Sequence, residues 1–363
     1  MKVTITTTTI HVPYLIEDYI KDVLNHNRQS DVDFVITGDR KTPQEASAYC
    51  RSLEDRYGVS ICFMDVEAQE RFMESRPVLN GFLPWNCLQR RDVAILKAYD
   101  EGADIIVLID DDNYISCEDY VGGHLHLGAP VEMEVISSPS GWYNICQCLK
   151  DRNGRPFFPR GYSWPERVND VREVCVSREK VRCVANGGFW LGDPDIDAVT
   201  RLSAPIDVVA CDREENFALG RGVYSPFNSQ NTAIHRDVVP AYFLCPGIGR
   251  FDDIWASYVI ERIAWHLGDF ISFGEPLVRQ NRNEHDLWVD VRAEEAGTRY
   301  TPDFCRWLRE VPLSGSTYRD CAEELMRGLK ALIDTQPDSV LPCEKRAFFN
   351  HFIDGSLLWT RSV

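Results

Sequence analysis

The sequence lacks the features that would assign it to several common classes of protein. Its 363 residues include thirteen cysteines, but no two of them are spaced as Cys-x-x-Cys, so no structural zinc site of that kind is expected. There is no apolar run long enough to span a membrane, no secretory segment at the start and no Asn-x-Ser/Thr acceptor. We therefore expect a cytoplasmic protein without a membrane span.

Basic residues are also scarce. The 39 lysines and arginines are outnumbered by 56 aspartates and glutamates, which gives a formal net charge of −17. Proteins that bind nucleic acid neutralise phosphates with clustered lysines and arginines, so we expect no nucleic-acid partner. A small anion held through a metal ion remains compatible with this charge, and so does a homo-oligomer. With 44% hydrophobic residues, a chain of this length can bury a sizeable core.

The first third of the chain alternates between two kinds of segment. Runs of β-branched and apolar residues predict strands, and segments with helical periodicity separate them. The predicted strands are 3–10, 33–39, 59–65 and 103–110, and the predicted helices are 14–27, 43–58 and 87–102. This alternation predicts an α/β fold, in which a Rossmann-like, mostly parallel sheet is covered by helices on both faces.

The rest of the chain has a different composition. Residues 120–250 are rich in glycine, proline and aromatic residues and predict loops with an antiparallel extension of the sheet. Helical patterns follow after about residue 300. We divide the chain into a first half at 1–118, a second half of the same domain at 119–300 and a C-terminal helical extension at 301–363.

The sequence DDDN at 110–113 follows the apolar strand and places three carboxylates side by side. Ligands of parallel sheets bind at the carboxyl ends of the strands, where this triplet lies. Carboxylate oxygens are the ligands that hard divalent cations prefer, and Asp110 and Asp112 form an Asp-x-Asp pair. The alternative is a solvated acidic turn that caps the following segment.

Several segments, taken in order, resemble the reversibly glycosylated polypeptide family, which includes the UDP-arabinopyranose mutases and belongs to the GT-A glycosyltransferases. The resemblance covers roughly residues 100–275. It is carried by VLIDDDN (107–113), FFPRGYSWPER (157–167), NGGFWLGDPDIDAVTRL (186–202), SPFNSQNTAIHRDVVPAYF (225–243) and RFDDIWASYVI (250–260). It implies a GT-A fold whose first half binds a nucleotide sugar and whose second half binds the sugar and the acceptor.

The resemblance also implies a metal site for Mn²⁺ or Mg²⁺. Asp112 and Asp110 match the family's metal-binding acids, and Asp111 between them is expected at the nucleotide sugar. The family carries a histidine after the next strand, for which this chain offers His285. A surface histidine is the alternative, with diphosphate and water completing the metal shell and Arg282 contacting the diphosphate.

Three residues are candidates for the chemistry itself. Arg167 matches, in the resemblance, an arginine that becomes glycosylated, although SWPE before it and Val168 after it depart from the family; a solvated arginine is the alternative. Asp253 is the candidate for a residue facing the acceptor, either as general base for an attacking hydroxyl group or as a hydrogen-bond partner of the donor sugar. Asp252 is assigned with it, and its alternative is a simple helix N-cap.

Further residues are candidates for binding the nucleotide sugar. They are Thr7, Thr8 and Thr9 at the end of the first strand, Asp39 at the end of the second, Arg90 or Arg91 on the helix before DDDN, and Gly187, Gly188 and Trp190. Each has a structural alternative: strand residues for the threonines, an Asx turn for Asp39, solvated arginines, and a core position for Trp190.

We therefore predict a metal-dependent glycosyltransferase that uses an NDP-sugar, expected to be a UDP-sugar, and an unidentified acceptor. The alternative is a pyranose/furanose mutase that glycosylates itself at Arg167. A non-catalytic GT-A-like binding protein is the second alternative, which the intact acidic triplet and the RFDDIW segment oppose.

Overall fold

The computed structural model describes residues 1–168, 173–283 and 286–363. The strands of the described residues are β1 (Val3–Thr9), β2 (Val32–Gly38), β3 (Ser60–Met64), β4 (Ile105–Ile109), β5 (Asn113–Ile115), β6 (Pro130–Ser137), β7 (Leu149–Asp151), β8 (Cys175–Gly192), β9 (Val208–Cys211), β10 (Phe217–Leu219), β11 (Asn231–His235) and β12 (Phe270–Gln280).

The helices of the described residues are α1 (Ile16–Asn25), α2 (Glu45–Tyr57), α3 (Val66–Met73), α4 (Pro77–Phe82), α5 (Arg91–Asp100), α6 (Trp164–Val168), α7 (Ala198–Ser203), α8 (Asp252–Leu267), α9 (Leu287–Glu310), α10 (Tyr318–Thr335) and α11 (Cys343–Ser362). None of these helices combines the length and the apolar content that a membrane crossing requires.

The first half of the sheet is parallel. Its strands lie in the order β3-β2-β1-β4, and Val3 of β1 pairs with both Val32 of β2 and Ile105 of β4. All five residues of β4 are buried, which explains why its sequence is a continuous run of apolar side chains. With helices flanking the sheet, the predicted α/β fold is confirmed.

The second half of the sheet is mixed, as the sequence predicts for the region after residue 120. Strand β11 runs antiparallel between β4 and β8, so it joins the two halves edge to edge. The 18-residue strand β8 also pairs with β6 and, in parallel, with β12. The carboxyl ends of β1, β2 and β4 thereby lie beside segments from the second half of the chain.

The C-terminal helices pack on the same body as the sheet. Trp255 of α8 stacks on Phe304 of α9, with ring centroids 4.1 Å apart, and on Phe349 of α11 at 5.2 Å. The indole Nε1 of Trp359 donates a hydrogen bond to the Val239 carbonyl at 2.7 Å. Aromatic burial therefore fixes the helical extension, and the division at residue 300 falls inside α9.

Candidate active site

A cleft of about 490 Å³ opens at the carboxyl ends of β1, β2 and β4. It is also lined from the loop before α8 and from the segment after β12. The predicted site residues that line it are Thr8, Thr9, Asp39, Arg91, Asp110, Asp111, Asp112, Asp252 and Asp253. The predicted site residues that do not line it are Thr7, Arg90, Arg167, Gly187, Gly188 and Trp190.

Asp110 begins the acidic triplet and is neutralised within the protein. Arg91, which is 1% exposed, donates from Nη2 to Asp110 Oδ1 and to the Ile109 carbonyl. Arg91 Nη1 donates to the Ser229 carbonyl at 2.6 Å, which fixes the guanidinium in place. Arg91 thus partly neutralises the charge of Asp110, and this ion pair is its contact with the triplet.

The next two carboxylates are less well compensated. Thr9 Oγ1 donates to Asp111 Oδ2 at 3.4 Å. Asp112 Oδ1 is buried and accepts no hydrogen bond from the described residues. Burial, followed by the charges of Asp110 and Asp111, raises the pKa of Asp112 to about 6. The position after β4 therefore concentrates negative charge that the described part of the chain leaves unbalanced.

A hard divalent cation fits this donor set. The buried oxygen of Asp112 is a carboxylate without a partner among the described residues, and Asp111 lies next to it. Carboxylate oxygens are what Mn²⁺ and Mg²⁺ prefer, and a positive charge would relieve the repulsion within the triplet. His285, the predicted third ligand, lies outside the described residues.

At the start of α8, Asp253 takes part in a buried ion network with Arg160. The guanidinium donates to both Asp253 oxygens, at 3.1 and 3.0 Å, and to both Asp195 oxygens at 2.9 Å. Ser229 N–H and Ile254 N–H also donate to Asp253. Because both oxygens of Asp253 are engaged, its geometry favours positioning over the predicted role of general base.

Asp252 has a freer carboxylate. Gln89 Nε2 donates to its Oδ2 at 2.6 Å. Burial and the neighbouring charge of Asp253 raise the pKa of Asp252 above its ordinary value, so it binds a proton more readily than a solvated aspartate. The alternative role as a simple N-cap is wrong, because Phe251 is the N-cap residue of α8 and no side chain caps it.

Asp39 holds the loop that borders the cleft. Its Oδ1 accepts from the backbone N–H of Arg40 at 2.6 Å and of Asn86 at 2.9 Å, and its Oδ2 accepts from Cys87 N–H at 3.2 Å. Thr42 Oγ1 donates to the Thr9 carbonyl at 2.6 Å and joins the ends of β1 and β2. Asp39 therefore shapes this end of the cleft through backbone contacts.

Arg90 packs away from the cleft. It is fully buried, lies 3.7 Å from the ring centroid of Trp85 and donates from Nε to Gln69 Oε1 at 2.9 Å. The sequence predicts that either Arg90 or Arg91 binds the nucleotide sugar. For Arg90 this prediction is corrected, since of the two only Arg91 lines the cleft. Thr7 faces a neighbouring pocket that also includes Asp110 and Asp111.

The two glycines of β8 serve the packing of the sheet. A Cβ atom at Gly187 would lie 2.9 Å from the Phe273 ring, and one at Gly188 would lie 2.5 Å from Asn231 Nδ2. Trp190 is buried, with 6% of its surface exposed. The expected approach of a sugar to Gly187, Gly188 and Trp190 is corrected, because neighbouring side chains occupy the space beside the glycines.

Arg167 is also placed outside the cleft. It donates from Nη1 to Asp197 Oδ2 at 2.8 Å, and its guanidinium carbon lies 4.4 Å from the Trp164 ring centroid and 5.3 Å from that of Phe158. The side chain is 9% exposed, so the alternative of a solvated arginine is wrong as well. The arginine of this segment that lines the cleft is Arg160.

Sequence reasoning missed Arg160 and Gly249. Arg160 stands in the quoted Pro-Arg-Gly-Tyr segment, and its pairing with Asp253 joins residues 93 positions apart, which no local pattern reveals. Gly249 lies in the cleft lining with a φ of +73°, and a Cβ there would be 1.9 Å from the Ala293 carbonyl oxygen. The Gly-Ile-Gly sequence before Arg250 was the available signal for this turn.

Comparison with known sequences gives a family match. The sequence model of the reversibly glycosylated polypeptide family matches residues 156–345. UDP-arabinopyranose mutase 1 of Arabidopsis thaliana is 27% identical over 190 residues, which cover 50% of this chain and 50% of that protein. Probable UDP-arabinopyranose mutase 4, also of Arabidopsis thaliana, is 24% identical over 262 residues, 70% of this chain and 66% of that protein. This chain spans about half the length of most of the curated relatives it matches.

Comparison with solved structures gives distant matches. Glucosyl-3-phosphoglycerate synthase from Mycobacterium tuberculosis, in complex with Mn²⁺, UDP and phosphoglyceric acid, is 14% identical with a TM-score of 0.42; 86% of this chain and 80% of that chain are covered. A mannosyltransferase from Pyrobaculum calidifontis in complex with GDP-Man and Mn²⁺ is 10% identical with a TM-score of 0.42, and the match covers 99% of this chain and 85% of that chain.

Proposed function

Because this chain belongs to the reversibly glycosylated polypeptide family, we propose that it is an enzyme that cleaves the glycosyl–phosphate bond of a nucleoside-diphosphate sugar in the cleft. The observation that carries the proposal is that an unbalanced acidic triplet and the buried carboxylates of Asp252 and Asp253 line one cleft. A sugar diphosphate needs positive charge at its phosphates and a carboxylate near its sugar. UDP is the expected nucleotide, since the curated relatives are named for UDP-arabinopyranose.

In this proposal Asp112 and Asp111 hold the divalent cation, and Arg91 orients Asp110 beside them. When bound, Mn²⁺ or Mg²⁺ supplies positive charge that stabilises the departing diphosphate. Thr8 and Thr9 line the same end of the cleft, and Asp39 keeps the loop at Asn86 and Cys87 in place against it.

Glycosyl transfer to an acceptor is the first candidate for the complete reaction. Asp252 accepts the proton of the attacking hydroxyl group, because its carboxylate has a raised pKa and is less engaged in hydrogen bonds than that of Asp253. Arg160 holds Asp253 in place beside it through both carboxylate oxygens. The acceptor itself is not specified by these residues.

A pyranose/furanose mutase is the second candidate, and the names of the curated relatives favour it. The sequence predicts Arg167 as the residue that such a mutase glycosylates. Arg167 lies outside the cleft in an ion pair with Asp197, whereas Arg160 lies within it. If the protein is a mutase, a residue that lines the cleft must therefore receive the sugar in place of Arg167.

Product analysis tests the proposal and separates the two candidates. We expect purified protein with Mn²⁺ and a panel of UDP-sugars to release UDP or to isomerise the sugar, and EDTA to abolish both. A sugar-sized mass increment on the protein that persists in Arg167→Ala would favour a mutase in which another residue carries the sugar. Turnover only after an acceptor is added would favour the transferase. Failure to convert any nucleotide sugar with or without an acceptor would contradict the proposed function.

A further inference from the structure

Arg282 differs from the other arginines that line the cleft. Its Nε and Nη1 are shielded from solvent and have no hydrogen-bond partner in the described part of the chain. The other three cleft arginines each contact a carboxylate, in the pairs Arg91–Asp110, Arg160–Asp253 and Arg250–Glu294. Arg282 is therefore a cleft cation whose donors are left for a ligand.

The surroundings of Arg282 are unfavourable for a positive charge. Burial and the charges of Arg201 and Arg250 lower the pKa of its guanidinium, and they outweigh the opposing charges of Asp195 and Asp193. A shielded cation without a partner is costly to a folded protein, and an anion relieves that cost. The local electrostatics thus match a negatively charged group rather than a neutral sugar hydroxyl.

The position of Arg282 narrows the identity of this anion. The residue follows β12, and the neighbouring Asn281 N–H donates to the Asp112 carbonyl at 3.2 Å. Arg282 and Asp112 line the same cleft. A group that lies between metal-binding carboxylates and an arginine has the charge and oxygens of a phosphate.

We propose that Arg282 binds the sugar-linked phosphate of the nucleoside diphosphate beside the acidic triplet, and so stabilises the leaving diphosphate. This inference rests on the proposed function. It assigns the segment after β12 a direct role in donor binding that does not depend on the identity of a third metal ligand. The guanidinium would then have a negatively charged partner only when the second phosphate is present.

Calorimetric titration with UDP and with UMP, in EDTA and without sugar, isolates the contribution of that phosphate. Wild-type protein is expected to bind UDP more tightly than UMP. Arg282→Gln is expected to lose roughly 10- to 100-fold of its UDP affinity while its UMP affinity is unchanged, as hydrogen bonds to a charged group predict. Arg282→Lys, which keeps the charge, is expected to recover part of the loss.

Arg279→Gln is the matched control, because it removes the same charge from an exposed position three residues earlier. It should leave both affinities unchanged. Without nucleotide, Arg282→Gln should unfold at the wild-type temperature or above, which separates a binding role from a structural one. If Arg282→Gln binds UDP as tightly as the wild-type protein does, the inference is overturned. The same result is expected if the partner of Arg282 is an anionic acceptor rather than the diphosphate. Absence of any UDP or UMP binding by the wild type, with Mn²⁺ as well as in EDTA, would instead overturn the proposed function.

Discussion

At the scale of single residues, the site is organised by which carboxylates have partners. Asp110 is paired with Arg91, and Asp253 is paired with Arg160, whereas Asp112 keeps a buried oxygen without a partner among the described residues. Three adjacent acids in the sequence therefore have different roles. The sequence predicts that the triplet binds a cation, but the division of labour within it depends on Arg91 and Ser229, which come from distant segments.

Asp112→Asn should make the metal-free protein more stable. The substitution removes a buried charge that Asp110 and Asp111 repel, so we expect a gain of about 1 kcal/mol and a rise of about 1 °C in melting temperature. Thermal unfolding in EDTA measures this. Asp55→Asn, at an exposed position on α2, is the control and should change little. A substantial loss of stability in Asp112→Asn would contradict the assignment of an uncompensated charge.

Arg160→Met should be strongly destabilising. It leaves the carboxylates of Asp195 and Asp253 buried without their cation, for which a cost of about 3–5 kcal/mol is expected. Denaturant unfolding measures the loss. The double variant Arg160→Met with Asp195→Asn should recover part of it, because one unpaired charge is removed. Equal stability of the single and double variants would mean that the network is not held by these charges.

At the scale of elements, long and regular segments were predictable and short ones were not. Strands β1 and β4 and helices α2 and α5 lie where the apolar periodicity predicts them, within a few residues at their ends. Helices α3 and α4 were missed because they have eight and six residues, although Asp65 caps the first and Pro77 begins the second. The placement of Arg167 was also unpredictable locally, since it depends on Asp197.

The turn before α8 is an element whose backbone the site requires. Gly249→Ala would combine a strained φ of +73° with a Cβ that lies 1.9 Å from the Ala293 carbonyl oxygen. We expect a loss of stability well beyond the roughly 1–2 kcal/mol that the left-handed conformation alone costs. Gly222→Ala is the matched control, because its φ is +80° and nothing lies within 4 Å of its Cβ. Equal effects of the two substitutions in thermal unfolding would contradict the close contact.

At the scale of the whole molecule, one body brings together residues that the sequence separates widely. The cleft is built from the ends of parallel strands in the first half, the segment before α8 and the segment after β12. The α/β class and the position of the acidic triplet were predictable from alternation and apolar runs. The ion pair between Arg160 and Asp253 and the packing of α11 on the core were not, because they depend on tertiary contacts.

Stability should depend on pH through the buried His124 and the half-buried His126. Burial lowers the pKa of His124 to about 3 and that of His126 to about 4. In the folded state both side chains therefore stay neutral as the pH falls from 6.5 to about 4. The unfolded chain binds these protons first, and stability is therefore lost as the pH falls from about 6.5 toward 4. Replacing His126 with Asn should reduce the slope of unfolding free energy by about 1.4 kcal/mol per pH unit in that window. If His126→Asn has the same slope as the wild-type protein, the account is contradicted.

Calorimetric titration of the wild-type protein with UDP, in the presence of Mn²⁺ and then of EDTA, tests the central claim most directly. If the cleft binds a nucleoside diphosphate through a cation at the acidic triplet, UDP should bind with a one-to-one stoichiometry and considerably more tightly when Mn²⁺ is present. Asp112→Asn should lose that difference while remaining folded. Equal UDP affinity with Mn²⁺ and with EDTA, or no binding of UDP or another nucleoside diphosphate, would contradict the account.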